Sequence, residues 1–192
     1  MKALNLGSII TAGILVCTCA EGASAYPDLS ERFPRFACET SGNRNELLRQ
    51  ADELFEAGFY DKAISGYRAL LESQELDLEV VVIARFHLAL AYMSEKRWVQ
   101  AVTALKENVR LLQDLSVEGL EDTKENSLYL LGLASSYLKD YPAAIDAFKT
   151  YCRLPTKKKL RLYDEAQFEL GILAYDTRDY SLAVEYLIPI SE

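Results

Sequence analysis

Residues 88–105 read LALAYMSEKRWVQAVTAL, and residues 131–148 read LGLASSYLKDYPAAIDAF. Laid over one another, the two stretches share a small residue (Ala89, Gly132) and, nine positions on, an aromatic (Trp98, Tyr141). Three further on comes an alanine (Ala101, Ala144), then a β-branched residue (Val102, Ile145). The same four-part pattern occurs twice more: Ala51, Tyr60, Ala63, Ile64, and Gly171, Tyr180, Ala183, Val184. Its alanines recur at intervals of 38, 43 and 39 residues. Self-similarity at this period signals a repeat architecture, and one pair of antiparallel helices fits each period.

Each copy has helical apolar spacing ahead of its aromatic. The residues are Leu47, Ala51, Leu54 and Phe55; then Leu88, Ala89 and Tyr92; then Leu128, Leu131, Gly132 and Ser135; then Phe168, Leu170, Gly171 and Ala174. Such spacing makes one helix face apolar. The small residue on that face allows close approach of a partner helix. A short turn follows (Gly58-Phe59, Lys96-Arg97, Lys139-Asp140, Arg178-Asp179), and the aromatic opens the second helix. Tyr67, Leu105, Phe148 and Leu187 are expected to fill space toward the next pair. The expected helices are 44–57 with 60–73, 79–95 with 98–115, 123–138 with 141–153, and 160–176 with 180–188. Asp122 or Thr123 is a candidate cap for the fifth of these, and Pro142 fits the first turn of the sixth.

These motifs resemble the tetratricopeptide repeat family: Gly or Ala, Tyr or Trp, Ala and a large apolar residue at that family's spacing. The resemblance covers residues 44–192, with repeats near 44–73, 79–115, 123–153 and 160–192. It implies an all-α fold, a right-handed superhelical solenoid of about four helix pairs. The early apolar residue of the first helix is present as Leu47 and Leu128 but is Arg85 and Gln167 elsewhere. The period exceeds the family's usual length of about 34. Longer periods of this kind look like those of bacterial envelope members.

Residues 1–25 read as a signal peptide. Met1-Lys2 is the positive end, Leu4 to Ala20 is apolar, and Ala23-Ser24-Ala25 gives an A-x-A cleavage site ahead of Tyr26. Two alternatives stay open: a lipid anchor at Cys17 or Cys19, and an uncleaved signal anchor. Residues 26–43, with Pro27, Pro34 and Thr40-Ser41-Gly42-Asn43, read as an irregular lead-in. Cleavage removes Lys2 and Glu21, so the net charge of −8 is unchanged. An acidic chain repels phosphate backbones, which argues against a nucleic-acid partner. The basic run Lys157, Lys158, Lys159, Arg161 reads as a solvated linker, or as a docking point for an acidic partner. Cys38 and Cys152 remain after cleavage, either paired in a disulfide or with Cys152 as a small buried residue.

Motifs for chemistry are absent. His87 is the sole histidine, with no nucleophile or orienting carboxylate beside it in a recognisable motif. Zinc needs several close Cys or His ligands, which the spacing does not offer. No Gly-rich phosphate loop, G-x-S-x-G or calcium loop occurs. The expectation is no enzyme, no cofactor and no metal.

In the family, first helices of successive repeats line a concave groove. The resemblance places Leu48, Asp52, Phe55 and Glu56 there from repeat one, and Phe86, Leu90 and Met93 from repeat two. Repeat three gives Asn126, Tyr129, Leu133 and Tyr137; repeat four gives Glu165, Phe168, Ile172 and Tyr175. The predicted protein-binding groove is therefore Phe55, Phe86, Met93, Tyr129, Tyr137, Phe168 and Tyr175, suited to a peptide or helix. The family's basic carboxylate clamp is not matched by Leu48, Asp52 and Leu130. The reading is a non-catalytic interaction scaffold in the bacterial periplasm or associated with the outer membrane. It fits envelope assembly or cell-division coordination, with no membrane span after signal cleavage. The alternative is an accessory or regulatory module of an enzyme whose catalytic part lies on a further C-terminal region or a partner chain. Pro189 interrupts the last helix, and an uncovered face there (Leu182, Tyr186, Leu187, Ile190) is expected to continue into more chain or to be covered by a second subunit or partner.

Overall fold

A computed structural model describes residues 46–73, 76–113, 119–154 and 162–188. All belong to the second of the two units into which the chain divides, Arg35–Glu192. The signal peptide, the lead-in, the basic run, Cys38 and Ile190 lie outside the described residues.

The described residues form eight helices and no strand. They are α1 (Glu46–Glu56), α2 (Tyr60–Leu71), α3 (Leu78–Ser94), α4 (Trp98–Gln113), α5 (Glu121–Tyr137), α6 (Tyr141–Cys152), α7 (Tyr163–Asp176) and α8 (Tyr180–Leu187). Each packs on the helix before and after it, so the four pairs stack in chain order. That is the all-helical solenoid expected from the repeat.

One turn joins the two helices of every pair. Gly58, Lys96, Lys139 and Arg178 occupy the same position of the repeat, and all have positive φ, between 57° and 76°. The following N–H reaches back to close the helix: Phe59 to the Leu54 carbonyl, Arg97 to Tyr92, Asp140 to Ser135 and Asp179 to Ala174, at 2.8–3.0 Å. This is the left-handed C-cap that satisfies the last carbonyls of a helix. Only the first pair uses glycine there; the basic residues of the others place positive charge at the negative helix end. Asp140 and Asp179 then cap the next helix, accepting from the N–H of Ala143 and of Leu182.

In the third and fourth pairs the small residue lies beneath a bulky one, whereas in the first pair Ala51 lies against Gly66. A Cβ on Gly132 would sit 2.7 Å from the Phe148 ring, and one on Gly171 2.5 Å from Leu187. Phe148 and Leu187 therefore close their own pair rather than only filling space toward the next, because the glycine leaves a hollow for them. Tyr67 does reach the next pair, meeting the His87 ring edge-on at 6.0 Å. Two further expectations change. Leu120 precedes α5 with no side-chain cap, while Thr123 is buried within the helix and Asp122 lies in its first turn. Leu47 is exposed, because the buried face of α1 runs through Leu48, Ala51 and Phe55.

Candidate functional site

The predicted groove residues divide sharply. Phe55, Phe86, Met93 and Tyr129 are buried, and so offer no contact surface in this structure. Two have visible causes. Phe55 packs edge-on against Tyr60 of α2, ring centroids 5.3 Å apart. Tyr129 meets Phe148 at 5.7 Å and Tyr151 at 5.9 Å, both on α6. Large aromatic rings on a first helix are drawn against the second helix of the same pair, where burial and edge-to-face contact both favour them. Tyr137 is half-buried and stacks on Trp98 of the preceding pair, centroids 4.2 Å apart and planes 18° from parallel.

The fourth pair behaves differently. Phe168 and Ile172 are half-buried, and Tyr175 is 60% exposed although its ring meets Tyr180 at 5.7 Å. With exposed Glu165 they make a continuous face of α7. This is where the predicted groove residues present surface.

A polar cluster lies among buried residues at the junction of pairs one and two. The Tyr67 hydroxyl donates to Asp52 Oδ1 at 2.6 Å, and His87 Nδ1 lies 2.8 Å from the same oxygen. His87 is thus oriented by a carboxylate 35 residues away, which motif spacing did not show. Its Nε2 is buried with no partner among the described residues. Asp52 fills both donors, so the cluster works as an inter-pair tie. Asn108 ties three helices: its amide donates to the Val82 carbonyl at 3.1 Å and faces Ser127 Oγ at 3.4 Å. Neither arrangement sets a base against a nucleophile.

Cys152 is a free thiol, and burial pushes its pKa up to about 11. Among the described residues no group of three or more His, Cys, Asp or Glu is placed to hold a metal ion. None of the described helices is long and apolar enough to cross a membrane.

No curated protein matches the chain. The tetratricopeptide repeat family model matches residues 48–113, from the third residue of α1 to the end of α4. Its repeats are interaction modules that bind proteins and are typically non-catalytic. That match covers the first two of the four helix pairs, and the third and fourth, outside it, repeat the same turn and the same stacking order.

Proposed function

We propose that this chain is an exported, non-catalytic scaffold of the bacterial periplasm or cell envelope. It holds a peptide or helix of a partner protein against the first helix of its fourth pair. The carrying observation is the α7 face, where Tyr175 is 60% exposed beside half-buried Phe168 and Ile172. Exposed aromatics flanked by apolar residues supply most of the energy in such interfaces. Export rests on Met1-Lys2, the apolar stretch Leu4 to Ala20 and Ala23-Ser24-Ala25. An envelope role, in assembly or in cell-division coordination, follows from that address and from the protein-binding family.

Affinity capture from envelope extracts tests the reading. The double variant Phe168→Ala/Tyr175→Ala is expected to reduce the captured partner by about tenfold. Equal yields from the variant and the parent would rule out the α7 face.

A further inference from the structure

The outer edge of each second helix has the same composition at two repeat positions. An aromatic is followed four residues on by a β-branched residue: Tyr60 and Ile64, Trp98 and Val102, Tyr141 and Ile145, Tyr180 and Val184. In the first three pairs the next helix packs against that second helix: α3 on α2, α5 on α4, α7 on α6. Ile64 is accordingly 4% exposed and Val102 7%, and Trp98 is stacked under Tyr137 of α5. In the fourth pair Val184 is 55% exposed and Tyr180 57%. Ile188, four residues further, is 52% exposed, where the earlier pairs carry Arg68, Lys106 and Lys149. Tyr180, Val184 and Ile188 therefore form one apolar stripe along α8, spaced by four residues, and the sole basic position of this edge has become apolar.

We infer that this stripe docks the amphipathic, basic-rimmed helix of another protein, seated as the first helix of a fifth pair would be. The three inner pairs define the occupant's shape, since each covers the same edge with one helix. The charge beside the stripe defines its rim. Among the described residues, Asp176, Asp179 and Glu185 are exposed in or just before α8, against Arg178 and against Arg153, which bonds Tyr186 on the buried side of the helix. A second copy of this acidic chain would bring like charge against like, whereas lysines or arginines flanking an apolar face complement it. The inference rests on the proposed scaffold role but uses the α8 stripe, which adjoins the α7 face where Tyr180 meets Tyr175.

A purified-component test keeps the two apart. Labelled peptides spanning residues 119–140, the natural cover of the Trp98–Val102 edge, are titrated with the full chain. One has the native sequence; the other has Glu121, Asp122 and Glu125 replaced by lysine. The lysine peptide is expected to bind saturably, more tightly than the native one and less so as salt rises. Val184→Glu is expected to weaken it by about tenfold or more, while the exposed Val99→Glu control, off this edge, leaves it unchanged. Thermal melts check that both variants fold, as exposed substitutions of this kind do. No binding of either peptide, or equal binding to Val184→Glu, overturns the inference. So does sedimentation showing a dimer of the chain that Val184→Glu dissolves, since the occupant is then a second copy. Failed capture from extracts with intact peptide binding would instead count against the α7 face alone.

Discussion

The second and fourth helix pairs share one sequence pattern and differ in what surrounds them. In the second pair, α3 is buried on all sides between α2, α4 and α5, from Val80 through Met93 with few breaks. In the fourth pair, α7 keeps only one strongly buried face, and α8 carries exposed apolar residues along its outer edge. An identical motif thus yields core in one place and surface in another. Position within the stack, not residue type, decides which aromatics are free to bind, as expected when each unit contacts only its neighbours.

If that is correct, equivalent substitutions cost more in the interior than in the fourth pair. Phe148→Ala removes a fully buried ring and should cost about 3–5 kcal/mol, against about 1–2 kcal/mol for half-buried Leu187→Ala at the same repeat position. Urea denaturation followed by circular dichroism measures both. Equal losses would mean that the fourth pair is as tightly integrated as the third, and the contrast would fail.

The Asp52 cluster sharpens the contrast, because polar ties appear at the inner junctions. Asp52→Ala leaves the Tyr67 hydroxyl and His87 Nδ1 without their acceptor. Each orphaned buried group costs about 1–3 kcal/mol, so a loss of about 2–6 kcal/mol is expected. Asp52→Asn keeps an acceptor oxygen and should recover part of it. If Asp52→Ala and Asp52→Asn unfold at the parent's urea concentration, the tie contributes nothing and apolar stacking alone holds the junction.

Gly132→Ala asks the same question of space. Its Cβ would come within 2.7 Å of a ring that is buried and enclosed, so about 1–3 kcal/mol is expected from overpacking. Gly171→Ala meets Leu187 more closely, at 2.5 Å, yet that side chain lies at the end of α8 and is half-buried. It can swing aside, and the loss should stay under about 1 kcal/mol. The reverse order would show that α8 is held from outside.

Much of this was readable before any coordinates. The small residue, aromatic and alanine fixed four helix pairs, because their spacing is a local property of helix and turn. Contacts that depend on how one pair rolls against the next were not readable. His87 and Asp52 meet across 35 residues through a register that neither segment encodes alone. Tyr129 was placed in the groove by its position, but its ring turns toward Phe148 and Tyr151. The uncovered face of the fourth pair was expected at Leu182, Tyr186 and Leu187. Leu182 and Tyr186 are buried and Leu187 half-buried; Tyr180, Val184 and Ile188 are exposed instead. The roll of α8 is set by Leu182, Ala183 and Tyr186 together, and one turn of helix has two apolar sides from which sequence does not choose. One signal of that edge does stand in the sequence: Ile188 occupies the repeat position that holds Arg68, Lys106 and Lys149 in the other pairs.

The smallest expected effect separates the two regions most finely. Lys96, Lys139 and Arg178 hold left-handed backbone, at φ 57°, 58° and 65°, where Gly58 shows that glycine serves. A side chain in that region costs about 1–2 kcal/mol. Glycine removes this strain but adds about 0.5–1 kcal/mol of unfolded-chain entropy. It also gives up the cation at the helix end, a contribution of about 0.3–1 kcal/mol that salt weakens. The balance is a gain of a few tenths of a kcal/mol for each glycine, largest at moderate salt, where screening removes the cation's advantage. Lys96→Gly and Lys139→Gly lie between helices that all unfold with the core, so each should raise the denaturation midpoint. Arg178→Gly lies before α8, whose edge is exposed and which is therefore expected to open locally ahead of global unfolding. Its gain should therefore appear as slower amide exchange at Leu182 and Ala183, with the global midpoint unchanged. A midpoint raised equally by all three glycines would show that α8 unfolds together with the interior pairs, and that its exposed edge is no looser than the core it adjoins.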